Sequence, residues 1–284
     1  METITKATTW GQALDWQMKR WKRMASAKTN AINSGHITRH VGRSYPLAKM
    51  GKPGFWMQLQ EELLDEGKST STVNRICSAG THVLKETFAA DLHKTNCPKF
   101  KRLKEGEHRL TWFSKSEVEA LVSAAIEIYD NQDLADAVLF SAYTGVRQGE
   151  LLKLKGVDVD LAGGQIWIGG KPDQVTKGKN VRAVPIAERI QQVVERRINQ
   201  TYLFRDDWDG SKDRLYYQFK KIRQYTGMSE DKVWHTLRHS FGTWLGEVTH
   251  PRQIQALMGH ADIETTLRYV KATDQANRDA IAAL

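Results

Sequence analysis

At 284 residues, with 26% charged side chains, the chain is long enough for two modest domains, each with its own core. It has no apolar run long enough to span a membrane, and Met1–Thr9 lacks a signal-peptide core. Two cysteines, Cys77 and Cys97, make no disulfide framework and have no metal-ligand spacing, so reduced thiols and a cytoplasmic protein without a membrane partner are expected.

The net charge of +9 is unevenly placed. Residues 1–109 hold 19 Lys/Arg against 10 Asp/Glu, whereas residues 110–284 hold 23 of each. A basic first part beside a neutral second part points to a polyanion clamp joined to a module with another task.

In the basic part, Trp10, Leu14, Met18 and Trp21 recur at helical spacing, with Lys19, Arg20, Lys22 and Arg23 on the outer side. Gly42–Gly54 reads as helix ends around a short helix, and Phe55–Glu66 as a helix stopped by Gly67. Ser69–Thr72 offers caps for a long helix through Val73, Ile76, Val83, Leu84 and Phe88. A helical bundle of about four helices over residues 1–98 is predicted. Residues 99–109 read as a basic linker, with Lys99, Lys101, Arg102 and Lys104 placed to follow a phosphate backbone.

The second domain, 110–284, opens with a helix capped by Ser114 or Ser116, followed by one from Gln132 to Tyr143 that stops at Thr144-Gly145. Gly145-Val146-Arg147-Gln148-Gly149-Glu150-Leu151 comes next. An Arg with a Glu three residues on is, by itself, an ordinary helical ion pair. From Val157 to Ile186 the period changes to two, giving three antiparallel strands around the turn Ala162-Gly163-Gly164, with Lys177 and Lys179 in the second connection. Helices return over Arg189–Ile198 and Tyr216–Tyr225.

Trp234, Leu237, Phe241, Trp244, Leu245 and Val248 form one apolar stripe, with His235 and Arg238 beside it. Pro251 starts a short helix ending at Met258-Gly259, and His260 follows. Asp262 caps a third helix with Ile263, Leu267 and Val270 on its apolar face, which leaves Tyr269 about 120° from that face and outside the core. His235 and His239 at i, i+4 suggest a metal face. Thr236 stands where the metalloprotease pattern needs Glu, so no metal or other cofactor is expected.

Taken together, His235-Thr236-Leu237-Arg238, then Leu257-Met258-Gly259-His260, then Tyr269, with Arg147 and Glu150 upstream, resembles the tyrosine recombinases of the phage-integrase family. The resemblance implies a mainly α fold with a small antiparallel sheet. Its parts would be an N-terminal helical, SAM-like core-binding bundle and a mixed α+β catalytic domain with a C-terminal tail helix, in a minimal two-domain form without an arm-binding domain. The N-terminal part matches only in size, helical content and charge. The resemblance also implies that Tyr269 is the nucleophile, that Arg147, Arg238 and His260 bind the cleaved phosphate, and that Glu150 supports them. By the same resemblance, His235 would assist proton transfer, and Lys177, with Lys179 as runner-up, would protonate the leaving oxygen.

Such an enzyme would cut and rejoin double-stranded DNA at specific core sites through a 3′-phosphotyrosyl intermediate, in phage or mobile-element integration or excision. It would act as a homotetramer at synapsis, with accessory DNA-bending proteins as further partners, on the nucleoid of a bacterial host. Alternatives that share these residues are a type IB topoisomerase and a catalytically vestigial DNA-binding protein.

Overall fold

Trp10, Ala13, Leu14, Gln17 and Trp21 fall on one stripe of α1 (Trp10–Trp21) and are all buried, which leaves Lys19, Arg20, Lys22 and Arg23 exposed. This computed structural model describes residues 6–24, 26–97, 99–106, 110–171 and 181–270. It divides into two compact units, 1–108 and 109–284. The chain is mainly helical with one small antiparallel sheet, as the sequence predicts. No helix among the described residues is long and apolar enough to cross a membrane.

In the first unit, α1 is followed by α2 (Ala27–Val41), α3 (Leu47–Met50), α4 (Pro53–Asp65) and α5 (Thr70–Ala89). Pro53 starts α4 where a missing N–H costs nothing, and the Ser69 hydroxyl caps α5 by accepting from the Thr72 N–H at 3.3 Å. Trp10, Trp21 and Trp56 are fully enclosed. The Lys99–Gly106 run is fastened to this unit. Gln60 donates to the Lys101 carbonyl at 3.0 Å, Asn74 bonds both the N–H and the carbonyl of Leu103, and Phe100 and Leu103 pack on the core.

The second unit begins with α6 (Lys115–Ser123). Ser114 is its cap: its hydroxyl accepts from the Glu117 N–H at 3.1 Å, and Glu117 accepts from the Ser114 N–H at 2.8 Å. One π-helical turn, Ala124–Ile128, leads to α7 (Gln132–Thr144), whose residues are almost all buried. Then come α8 (Gln148–Leu151), β1 (Val159–Asp160), β2 (Gln165–Ile168) and β3 (Arg182–Pro185), with β2 central. The register pairs Ile166 with Val184 and Ile168 with Arg182. Period-two alternation therefore buries Ile166, Ile168 and Val184, and Arg182 with them. The last elements are α9 (Gln191–Arg197), α10 (Lys212–Tyr225), α11 (Trp234–Gly246), α12 (Pro251–Met258) and α13 (Ile263–Leu267).

One expectation is reversed near the end of the chain. α13 stops at Leu267, so the helical face assumed to run to Val270 does not exist. Leu267 is exposed, while Thr266 and Tyr269 are buried. Tyr269 lies in a turn, its N–H donating to the Thr266 carbonyl at 2.9 Å.

Gly145 ends α7 at φ 61°, and an added Cβ would come within 2.4 Å of the Phe241 ring. Gly145→Ala should therefore cost about 1–3 kcal/mol of stability, from the left-handed backbone and the ring that has to move. Chemical denaturation checks this, and an unchanged midpoint would contradict it.

Candidate functional site: four segments around Arg238

Arg238 is the best-enclosed charge of the site, 2% exposed. It sits on α11, whose first turn is capped by the Thr236 hydroxyl accepting from the Val233 N–H at 3.0 Å. Its guanidinium donates through Nη1 to the Gly145 carbonyl and through Nη2 to the Met258 carbonyl, each at 2.5 Å. Both acceptors are at helix ends: Gly145 follows α7, and Met258 is the last residue of α12. One side chain thus joins the turn that leads into Arg147 to the turn that leads into His260. Each Nη retains a second hydrogen for an outside acceptor. Burial, then the charges of Arg147 and Arg182, lower the Arg238 pKa to about 10, so the group stays charged at neutral pH.

Arg147 stands at the start of α8 with its side chain partly exposed. Glu150 holds it twice, accepting from the Arg147 N–H at 2.9 Å and from Nη1 at 2.9 Å. Burial by itself would raise the Glu150 pKa. The bonds and charge of Arg182, with the two hydrogen bonds from Arg147, outweigh it and hold the carboxyl at about 2.

Gly259, left-handed at φ 63°, ends α12 and sets the direction of His260. The His260 ring hydrogen-bonds the Thr266 hydroxyl through Nδ1 at 2.8 Å and stacks on Tyr269 at 12°, with ring centroids 6.0 Å apart. Burial, then Arg238 and Arg147, lower its pKa to about 4. His235 is likewise lowered by burial and the same two arginines, and its ring meets His239 edge-on at 4.7 Å.

Tyr269 is 4% exposed, which corrects the expectation that its ring lies outside the core. The cause lies on α11. A Cβ at Gly242 would be 2.9 Å from the Tyr269 ring, and one at Gly246 would be 2.1 Å from the Tyr269 carbonyl. These two glycines, one helical turn apart, open a groove that the tyrosine occupies. Its hydroxyl meets His239 Nδ1 at 2.7 Å. Burial, then the charges of His235 and Arg268, depress the His239 pKa to about 4, so at neutral pH the imidazole is neutral, and its tautomer decides which partner of this bond donates. Burial raises the phenol pKa, against the opposing charges of Arg238, Arg268 and Arg147.

The site thus brings together Arg147, Glu150, His235, Arg238, His260 and Tyr269. Lys177 and its runner-up Lys179 lie outside the described residues, as does the tail beyond Val270. Sequence reasoning missed Arg182, and it weighed His239 only as half of a metal face and not as the partner of Tyr269. A signal for Arg182 was available, since a charge on the apolar face of a strand calls for a partner. In the first unit, Lys19, Arg20, Lys22 and Arg23 are exposed, and three of them line a cleft of about 680 Å³ with His82 and Glu86. Lys99, Lys101, Arg102 and Lys104 are exposed too. Among the described residues, no group of three or more His, Cys, Asp or Glu could share a metal ion.

Residues 111–276 match the phage integrase family, and the chain belongs to that family. It is 35% identical over 178 residues to a tyrosine recombinase XerA of Thermococcus kodakarensis, covering 59% of this chain and 60% of that protein. It is 30% identical to a XerA of Thermococcus onnurineus over 77% of each. Among solved structures, the Tn1549 transposon integrase in complex with transposon right end DNA superposes with a TM-score of 0.77, at 19% identity, over 97% of this chain and 99% of that one. A lambda integrase tetramer bound to a Holliday junction gives 0.74 at 18% identity, over 94% and 79%. The mainly helical fold with its small sheet is therefore that of integrase structures.

The lowered histidines give stability a pH dependence of definite sign. Between about pH 6.5 and pH 4 the unfolded chain binds protons that folded His239 and His260 refuse, so stability falls as pH falls through that window. The melting temperature should drop between pH 7 and pH 4.5, and His239→Asn should reduce the drop. Equal drops in variant and parent would contradict the assignment.

Proposed function

We propose that this chain is a site-specific DNA recombinase that cuts and rejoins strands through a 3′-phosphotyrosyl intermediate, in integration or excision of a mobile element. The observation that carries the reading is the Tyr269 hydroxyl lying on His239 in the same site as Arg238, beneath the His260 ring. Displacement at a phosphodiester needs an in-line nucleophile, cations for the non-bridging oxygens and a proton for the departing alkoxide. Arg147 and Arg238 supply forked donors that a lysine cannot copy, and His260 adds a further hydrogen bond.

In the proposed step, the phenol proton passes to His239, with His235 beside it. The phenolate oxygen forms a bond to phosphorus as the bond to the 5′ oxygen breaks, and Lys177 gives that oxygen its proton. The covalent link retains the energy of the diester, so a second 5′-hydroxyl can reverse the reaction without ATP. Because the phenol rests in a groove, DNA has to bring its phosphate to within about 3–3.5 Å of the hydroxyl before attack.

The partner is double-stranded DNA carrying specific core sites. Residues 1–98 would grip it through Lys19, Arg20, Lys22 and Arg23. Lys99, Lys101, Arg102 and Lys104 would run along its backbone, and residues 110–284 would carry the chemistry. By analogy with the tetramer reported for lambda integrase on a Holliday junction, four copies would meet at synapsis, with accessory DNA-bending proteins as further partners. The reaction would take place in the cytoplasm, on the nucleoid.

The test is incubation with a nicked half-site, which traps the covalent adduct. Tyr269→Phe should abolish a denaturation-resistant adduct while retaining binding, and Lys177→Ala should slow cleavage of an ordinary 5′ oxygen far more than of a bridging 5′ sulfur. An adduct surviving in Tyr269→Phe would move the nucleophile elsewhere, and equal slowing on both substrates would remove Lys177 from the acid role.

A further inference from the structure

Glu150 accepts four hydrogen bonds, and only two come from Arg147. The other two come from Arg182 on β3, whose Nη2 donates to Oε2 at 2.8 Å and whose Nη1 donates to Oε1 at 3.3 Å. This forked approach fixes the plane of the carboxylate, because each oxygen is held by a different nitrogen of one rigid guanidinium. Arg147, by contrast, has a partly exposed side chain, which donates to Glu150 through Nη1. The direction in which its remaining N–H groups point is therefore set by a carboxylate that Arg182 orients.

Arg182 also packs beneath the other arm of the site. A Cβ at Gly259 would be 3.1 Å from Arg182 Cδ and 3.2 Å from Nη1, so the turn that aims His260 rests on the same side chain. The Arg182 side chain is 4% exposed, and its Nε finds no partner among the described residues. An arginine in that state is a poor way to stabilise a sheet. Apolar replacements of buried ion pairs are often neutral or stabilising, and its neighbours on this face, Val184 and Ile168, are apolar. Its position matches a need for orientation better than a need for packing.

We infer that Arg182 is a positioning residue for DNA cleavage: its fork on the Glu150 carboxylate aims Arg147 at the phosphate under attack. The inference rests on the proposed reading of Arg147 as a phosphate ligand. Arg182 touches Glu150 and the Gly259 turn, and it acts on the reacting atoms only through them.

The experiment measures the single-turnover rate of adduct formation by the full chain on a nicked half-site, together with half-site affinity, for Arg182→Met and the charge-conserving Arg182→Lys. Each is also combined with Arg147→Lys. Loss of aim by about 1 Å should slow adduct formation about 10²-fold in Arg182→Met with affinity nearly unchanged. Arg182→Lys, which keeps the charge and loses the fork, should recover only a small part of the rate. In the Arg147→Lys background, removing Arg182 should cost less than about 3-fold more, since the two then lie on one path.

Full multiplication of the two losses, or a parental rate in Arg182→Lys, would overturn the inference. If Arg182→Met melts early, Arg182→Lys decides alone through the same cycle. Absence of an adduct from the unaltered chain would instead defeat the reading on which the inference rests, so the two failures are distinguishable.

Discussion

Burial of the Arg238 guanidinium is the constraint on which the site depends. A charge taken out of water is tolerated only when its donors are met, and here the acceptors are carbonyls at the ends of two helices, at Gly145 and Met258. Those carbonyls are the ones that helix geometry leaves without partners. The arginine thereby satisfies two helix termini and fixes the spacing between the turns that carry Arg147 and His260. With Arg147, Arg182 and Arg268 also nearby, the site is strongly cationic, and His235, His239 and His260 are kept neutral by burial and by these charges. Neutral imidazoles beside fixed guanidinium groups suit a reaction that needs a proton acceptor for a phenol and donors for a phosphate in the same small volume.

The second constraint is steric. Gly242 and Gly246 remove two side chains from the inner face of α11, and the Tyr269 ring and backbone fill that space. The same helix carries His235, Arg238 and His239, so one rigid element sets both the cationic group and the seat of the phenol. A short α13 followed by a turn lets the tyrosine reach back to the helix.

Much of this was legible in the sequence, for a physical reason. His235 and Arg238 lie on one helix, where spacing alone fixes their relative direction, and Gly259 and Asp262 are strong local punctuation. Strand alternation around Gly163-Gly164 was equally local. What failed was whatever depended on contacts between segments. The burial of Tyr269 follows from a glycine groove more than twenty residues upstream, and the bond to His239 follows from that burial. The ending of α13 at Leu267 could not be read from apolar spacing that continued to Val270. The sequence reading also passed over α2, because Ile37 is the one apolar side chain that this helix buries fully, so the periodic signal was too weak. Arg182 could have been found, since alternation with Val184 places it on the buried face.

The central claim is that four chain segments converge on one DNA phosphate. A structure of the Tyr269→Phe chain bound to an intact core site tests it most directly. The account predicts the guanidinium groups of Arg147 and Arg238 and the ring of His260 within about 3 Å of oxygens of a single phosphate, with the ring at position 269 in line behind it. A complex in which Arg147 and Arg238 hold different phosphates, or in which position 269 stays shielded from the DNA, would contradict it.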